Sequence, residues 1–91
     1  MELNLSYSLP VTIFKEGDAF VAYSPALDLS TAGLSEQDAK RMFEEATQLF
    51  FEELAEMGTT ESVLTDLGWE KEAGVFQPPM VVQQSMMQVR V

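Results

Sequence analysis

The chain lacks two chemically active residue types, since its 91 residues include neither cysteine nor histidine. Without cysteine it has no disulfide bond, thiolate metal site or thiol nucleophile. Without histidine it lacks the side chain that most often transfers protons near neutral pH, and a usual zinc ligand. Ser-His-Asp and Cys-His catalytic sites are thereby excluded. We expect a protein that is not an enzyme and that uses no cofactor.

Sequence motifs for other kinds of chemistry are also missing. The five glycines are isolated and form no phosphate-binding loop. No serine stands in a Ser-x-x-Lys or Gly-x-Ser-x-Gly pattern. Two-metal nuclease chemistry needs several carboxylates on adjacent strands, and the predicted strands carry almost none. We therefore predict no catalytic residue, no metal site and no nuclease activity.

Basic residues are scarce, with five Lys and Arg against fifteen Asp and Glu, which gives a formal charge of −10. This charge repels a phosphate backbone, so we expect no direct binding to nucleic acid. The same charge would attract a basic protein, although it is also explained by solubility alone. No apolar run reaches the roughly 20 residues of a membrane helix, and the N-terminus has no signal-peptide pattern. We expect a cytoplasmic protein without a membrane partner.

The first third of the chain predicts a β-hairpin and a third strand. Residues 3–13 alternate between apolar and polar side chains, which indicates a strand with one buried face. Pro10 cannot donate to a ladder and marks an edge or a bulge. A polar turn at 15–18 leads into a returning strand at 19–24. A further short strand is predicted at 29–32.

A long amphipathic helix follows, predicted from residue 36 to residue 57. Ser35 is the expected N-cap and Asp38 completes a variant capping box. Gly58 is the expected terminating residue. The apolar period changes to 3.6 over this segment, and the predicted buried stripe consists of Ala39, Met42, Phe43, Ala46, Leu49, Phe50, Leu54 and Met57. The outward side is acidic and is interpreted as a solvated face; it carries Glu44, Glu45, Glu52, Glu53 and Glu56.

The last third predicts a second helix and a final strand. The helix begins at Thr59 or Thr60 and runs to Leu67, before Gly68. Met80 to Val91 alternates weakly, so residues 77–91 are interpreted as a C-terminal strand or as a tail exchanged between two copies. We therefore predict one α+β domain, residues 1–91: a small, mostly antiparallel sheet of three to four strands, packed by a long and a short helix.

Three segments together resemble the HicB antitoxin family. They are the hairpin end Phe20–Leu27, with its Tyr-x-Pro-x-Leu pattern, the segment Thr31–Ala39 leading into the helix, and the helix terminus Leu54–Gly58. The resemblance covers roughly residues 10–76. It implies a partial RNase H fold. It also implies an antitoxin that binds HicA, a small basic mRNA-cleaving toxin, and blocks its RNA-cleaving surface.

The chain departs from that family after Phe76. Many HicB proteins continue into a helix-turn-helix or ribbon-helix-helix module that binds operator DNA, and nothing after Phe76 is long or basic enough for one. The alternative is therefore an orphan homo-oligomeric domain with a regulatory role and no toxin. Phe51 lies off the main helix stripe, either because the stripe is wide or because it makes a second apolar contact, to the helix after Gly58 or to another chain. The predicted partner-binding residues are Tyr23, Pro25, Asp28, Phe51, Val82 and Met86.

Overall fold

The chain folds as an α+β protein, as its sequence predicts. A computed structural model describes residues 8–91. The elements in chain order are β1 (Thr12–Glu16), β2 (Ala19–Ser24), β3 (Leu29–Gly33), α1 (Glu36–Met57), α2 (Thr60–Asp66), β4 (Glu70–Glu72) and β5 (Val75–Gln77). One antiparallel sheet has the order β1-β2-β3, and β4 and β5 form a separate antiparallel hairpin.

The first hairpin has a tighter turn than the sequence predicted. Glu16 pairs with Ala19, so only two residues connect the strands. One of them, Gly17, has a φ of 59°, a left-handed conformation that glycine adopts without steric cost. The predicted turn at 15–18 is therefore wrong in extent, because its first two residues belong to β1.

Part of the first predicted strand is not formed among the described residues. Residues 3–7 of the alternating segment lie outside the described residues, and residues 8–11 form no strand. Pairing with β2 starts at Thr12. Pro10 gives the physical reason, since proline has no N–H to donate to a ladder. Among residues 8–16, the strand therefore forms only beyond Pro10.

The helix α1 passes unusually close to the end of β3. A Cβ atom at Gly33 would lie 2.6 Å from the backbone nitrogen of Ala39. The hydroxyl of Thr31 donates a hydrogen bond to the Ala39 carbonyl over 3.0 Å. Ala22, on the neighbouring strand, is fully buried at the same contact. Small residues on both sides thus let the helix and sheet backbones meet.

The helix has the predicted bounds, and both of its ends are closed by local hydrogen bonds. The Ser35 side chain accepts a bond from the Asp38 N–H over 3.0 Å, as an N-cap does. The Asp38 carboxylate accepts from the Leu34 N–H rather than from the Ser35 N–H, which differs from the predicted capping box. Gly58 has a φ of 66°, and its N–H and that of Thr59 bond to carbonyls of the last turn in the Schellman pattern.

Within residues 8–91, two clusters of buried side chains form the core. The Trp69 cluster consists of Ala26, Leu27, Leu54, Leu64 and Trp69, and the Ala39 cluster consists of Ala22, Ala39 and Phe43. The predicted helix stripe is wider than the buried face, because Leu49 and Met57 are 64% and 67% exposed. Phe43 and Leu54 are buried as predicted.

The chain after α1 returns to the Trp69 cluster. α2 ends at Asp66, one residue before the predicted end, and Gly68 has a φ of 93°. The β4–β5 hairpin, which the sequence did not predict as strands, places Phe76 against the cluster. The ammonium of Lys71 lies 5.5 Å from the Phe76 ring centroid and 3.6 Å from the Glu61 carboxylate. One exposed ion pair thus links the hairpin to α2.

The predicted C-terminal strand is not formed within the single chain. Residues 78–91 have no regular structure, and residues 80–91 are all exposed. The chain leaves the body at Pro79, whose Cγ would lie 3.6 Å from a Cβ atom at Gly68. Exchange of this segment between two copies stays a prediction.

Candidate protein-binding surfaces

The connection between β2 and β3 has a buried inner side and a polar outer side. Ala26 and Leu27 point into the Trp69 cluster and are 0% and 3% exposed. The buried Ser24 hydroxyl accepts a hydrogen bond from the Ala26 N–H over 3.3 Å. The indole N–H of Trp69 donates to the Ala26 carbonyl over 2.8 Å. The connection is therefore anchored from inside by packing and by hydrogen bonds.

The outer side of this connection brings together three of the predicted partner-binding residues. The Tyr23 hydroxyl donates a hydrogen bond to the Asp28 carboxylate over 3.0 Å, and Pro25 is exposed between them. Asp28 has a φ of 49°, in the left-handed region that aspartate tolerates in turns. We call Tyr23, Pro25 and Asp28 the turn surface.

The hydrogen bond within the turn surface changes the acidity of its phenol. It raises the pKa of Tyr23 above 10.0, because Asp28 accepts the phenolic proton; burial and the carboxylate charge add to the effect. The phenol therefore remains a hydrogen-bond donor throughout the neutral range. The turn surface presents an aromatic ring and an acidic group side by side, a combination that suits contact with a basic protein.

The turn surface continues into the face of the sheet opposite α1. Phe14, Val21 and Ala32 form one row across the three strands, and Thr12, Tyr23 and Ser30 form the next. Phe14 is 49% exposed. We call these six residues the outer sheet face. Phe14 was not predicted as a partner-binding residue, although its alternation with the half-buried Ile13 would have identified it as outward-facing.

The outward side of α1 is a second polar surface with negative charge. Glu45, Glu52 and Glu56 lie within one strip along the helix, because seven and eleven residues are close to whole numbers of turns. Arg41 pairs with Glu45 over 3.2 Å and with Asp38 over 2.7 Å. Both pairs are solvent-exposed and contribute little to stability. Glu44, Glu52, Glu53 and Glu56 have no ion pair within the residues that the structure describes.

The other predicted partner-binding residues lie elsewhere. Phe51 is half-buried, and its ring meets that of Trp69 edge-on with 6.1 Å between centroids. Phe51 thus makes a second apolar contact within its own chain, but its ring partner Trp69 lies beyond the helix that the sequence indicated as the alternative. Val82 and Met86 are 90% and 100% exposed on the C-terminal segment, residues 78–91. The structure thus groups three of the six residues and separates the other three.

Within residues 8–91, no group of three acidic side chains is arranged to hold a metal ion. In the same range, no helix is long and apolar enough to cross a membrane. Comparison with known proteins gave no matching family model, no matching curated protein and no matching solved structure.

Proposed function

We propose that this chain is a HicB-like antitoxin that binds a small basic HicA-type mRNA interferase and blocks its RNA-cleaving surface. The fold proposed with it is the partial RNase H fold of that family. The turn surface is the observation that carries the proposal. The segment Tyr23–Leu27, in which the sequence resembles the family, is buried on its inner side and offers Tyr23 and Pro25 outward.

Charge supports a basic partner. The chain carries a formal charge of −10, and on the outward strip of α1 Glu52 and Glu56 have no cationic partner among the described residues. The negative electrostatic potential of such a surface accelerates its encounter with a cationic protein, and this effect weakens as salt is added. The antitoxin would act by occupying a surface, a role that requires no reactive side chain of its own.

The direct test is expression of the neighbouring open reading frame with and without this chain. We expect the neighbour alone to arrest growth and degrade mRNA, and co-expression to restore growth through a stable complex. A neighbour that is harmless alone, or whose toxicity this chain leaves unchanged, contradicts the proposal.

Reversing charges on α1 tests whether this helix contacts the toxin. We expect E52K/E56K on α1 to weaken toxin binding on the order of tenfold at low salt, because like charges would then face each other. The matched control E70K/E72K makes the same change in net charge on the exposed strand β4. Equal loss in both variants would show a non-specific charge effect and place no contact on α1.

A second candidate is an orphan homo-oligomeric domain with a regulatory role. The exposed apolar C-terminal segment favours it, because such a segment suits self-association. A flanking region that encodes no small basic protein would support this candidate over the antitoxin.

A further inference from the structure

The C-terminal segment, residues 78–91, is apolar, and residues 80–91 of it are exposed. Its large hydrophobic side chains are all exposed: Met80, Val81, Val82, Met86, Met87, Val89 and Val91. Soluble monomers rarely leave so many apolar groups contiguous and exposed. Most of these side chains are therefore suited to packing against another molecule.

The end of this segment has the pattern of a strand with two different faces. Met87, Val89 and Val91 alternate with Gln88 and Arg90. An extended strand would place the three apolar side chains on one side and the two polar ones on the other. A sheet edge with an apolar face beside it fits this pattern.

The exposed area of the whole chain is large for its mass. The accessible surface is 7335 Å², whereas a compact monomer of 10.2 kDa exposes roughly 5300 Å². The excess, on the order of 2000 Å², is comparable to what each partner hides in a large obligate dimer interface. The radius of gyration of 15.1 Å likewise exceeds the ~12 Å of a compact chain of this length.

The two edges of the main sheet differ in what they offer. α1 packs on β3 and β2, so the inner face at β3 is covered, and its outer face carries only Ser30 and Ala32. Strand β1 has Ile13 half-buried on the inner face and Phe14 half-exposed on the outer face. Among the described residues, β1 pairs with β2 alone. The apolar edge of the sheet is therefore β1.

We propose that residues 82–91 add as a β-strand to the free edge of β1 in a second copy of this chain, with the two copies exchanging tails reciprocally. Met87, Val89 and Val91 would lie beside Phe14 on the outer sheet face. The main-chain groups of β1 would gain hydrogen-bond partners. A two-fold arrangement makes every such contact twice.

Charge favours this occupant over an arbitrary apolar peptide. Arg90 is the only charged residue in residues 78–91, whereas residues 1–77 hold all fifteen acidic residues and only four basic ones. The exchanged tail would therefore bring a cation to an acidic body.

The mass of the intact chain in solution is the first test. We expect twice the 10.2 kDa chain mass by sedimentation, and the single-chain mass after deletion of residues 82–91. The far-ultraviolet circular dichroism of the deletion variant should keep the signal of α1. A monomeric intact chain, or a dimer that survives the deletion, overturns the proposal.

Disulfide cross-linking identifies the edge, since the chain has no cysteine of its own. Phe14 and Ala32 pair with Val21 from opposite sides of β2, so F14C and A32C are matched positions on the two edges. We expect V89C to cross-link in mixed samples with F14C and not with A32C. M87C and V91C test the neighbouring registers.

Equal or preferential cross-linking to A32C overturns the choice of β1. If F14C reduces the folded fraction, T12C replaces it with S30C as its control, because Thr12 and Ser30 flank Tyr23 in the same way. Failure of toxin binding leaves the outcome of these measurements unchanged, so the two proposals are tested separately.

Discussion

The two clusters of the core are held together in opposite ways. The Trp69 cluster is built from large side chains that fill space between α1, α2 and the β2–β3 connection. The Ala39 cluster contains two alanines, and a Cβ atom at the neighbouring Gly33 would lie 2.6 Å from a backbone atom of α1. The first cluster is therefore sensitive to removed atoms, and the second to added ones.

The largest expected effect comes from emptying the first cluster. We expect W69A to lower the free energy of unfolding by about 3 to 5 kcal/mol, from lost packing and from a cavity. It also leaves the buried Ala26 carbonyl without its indole donor. W69F, which keeps a ring but no N–H, should fall between W69A and the parent chain. Denaturant unfolding followed by circular dichroism measures both, and equal stability of all three chains would refute the role given to Trp69.

Adding one methyl group should disturb the second cluster. We expect G33A to cost about 2 to 3 kcal/mol, because the new Cβ atom meets the backbone of α1, which cannot move like a flexible side chain. The control G17A meets no atom within 4 Å, and its cost of about 1 kcal/mol comes from its left-handed φ. Thermal unfolding compares the two variants. A G33A melting temperature at or above that of G17A would contradict the close approach.

Removing the N-cap of α1 should lower the stability by less than either change above. We expect S35A to lower the free energy of unfolding by about 1 kcal/mol, since the Asp38 N–H loses its side-chain acceptor. S35D or S35N should retain most of the stability, because both side chains cap helices. Denaturant unfolding gives the ranking, and an S35A chain as stable as the parent would show that the cap contributes nothing.

The smallest expected effect concerns the hydrogen bond between Tyr23 and Asp28 on the turn surface. We expect D28N to lower the pKa of Tyr23 toward its ordinary value of 10.0, because the accepting carboxylate is removed. A Y7F background leaves Tyr23 as the only tyrosine, so tyrosinate absorbance reports it alone. D18N is the control in another turn. Tyr23 titrating identically in the parent chain and in D28N would show that the hydrogen bond does not persist in solution.

The hydrogen bond between Tyr23 and Asp28 also determines how the stability of the fold changes at alkaline pH. The folded pKa of Tyr23 is raised, so the neutral phenol is favoured in the folded state. The hydrogen bond therefore contributes to the stability of the fold below pH 10, and this contribution is lost as the pH rises through the folded pKa of Tyr23. D28N should remove that alkaline dependence.

The long helix could be predicted to the residue because all of its signals are local. The cap at Ser35, the 3.6 period and the left-handed Gly58 act within a few residues of one another. Strand limits depend on pairing with another strand, which local sequence does not specify. Polarity predicts a turn at 15–18, although the ladder continues to Glu16.

The β4–β5 hairpin was missed because its signals are weak. Each strand has three residues, and Glu70–Glu72 is wholly exposed. Its turn places Ala73 and Gly74 at φ values of 51° and 79°. Asparagine or aspartate before glycine would have indicated such a turn, but alanine does not favour a positive φ.

The candidate surfaces were only partly accessible to sequence reasoning. The sequence predicts Tyr23 and Asp28 as partner-binding residues but not their contact with each other, which depends on the left-handed backbone at Asp28. The outer sheet face needed the strand register to bring Phe14, Val21 and Ala32 into one row. For the C-terminal segment, alternation indicates a strand, but pairing requires a partner that local sequence cannot specify.

The hydrogen bond from Trp69 to Ala26 joins residues 43 positions apart in the chain. During synthesis, the β2–β3 connection leaves the ribosome well before its indole anchor does. A nascent or truncated chain without residue 69 would lack the inner support of the turn surface. Only a chain made at least as far as Trp69 could therefore offer a partner the finished contact.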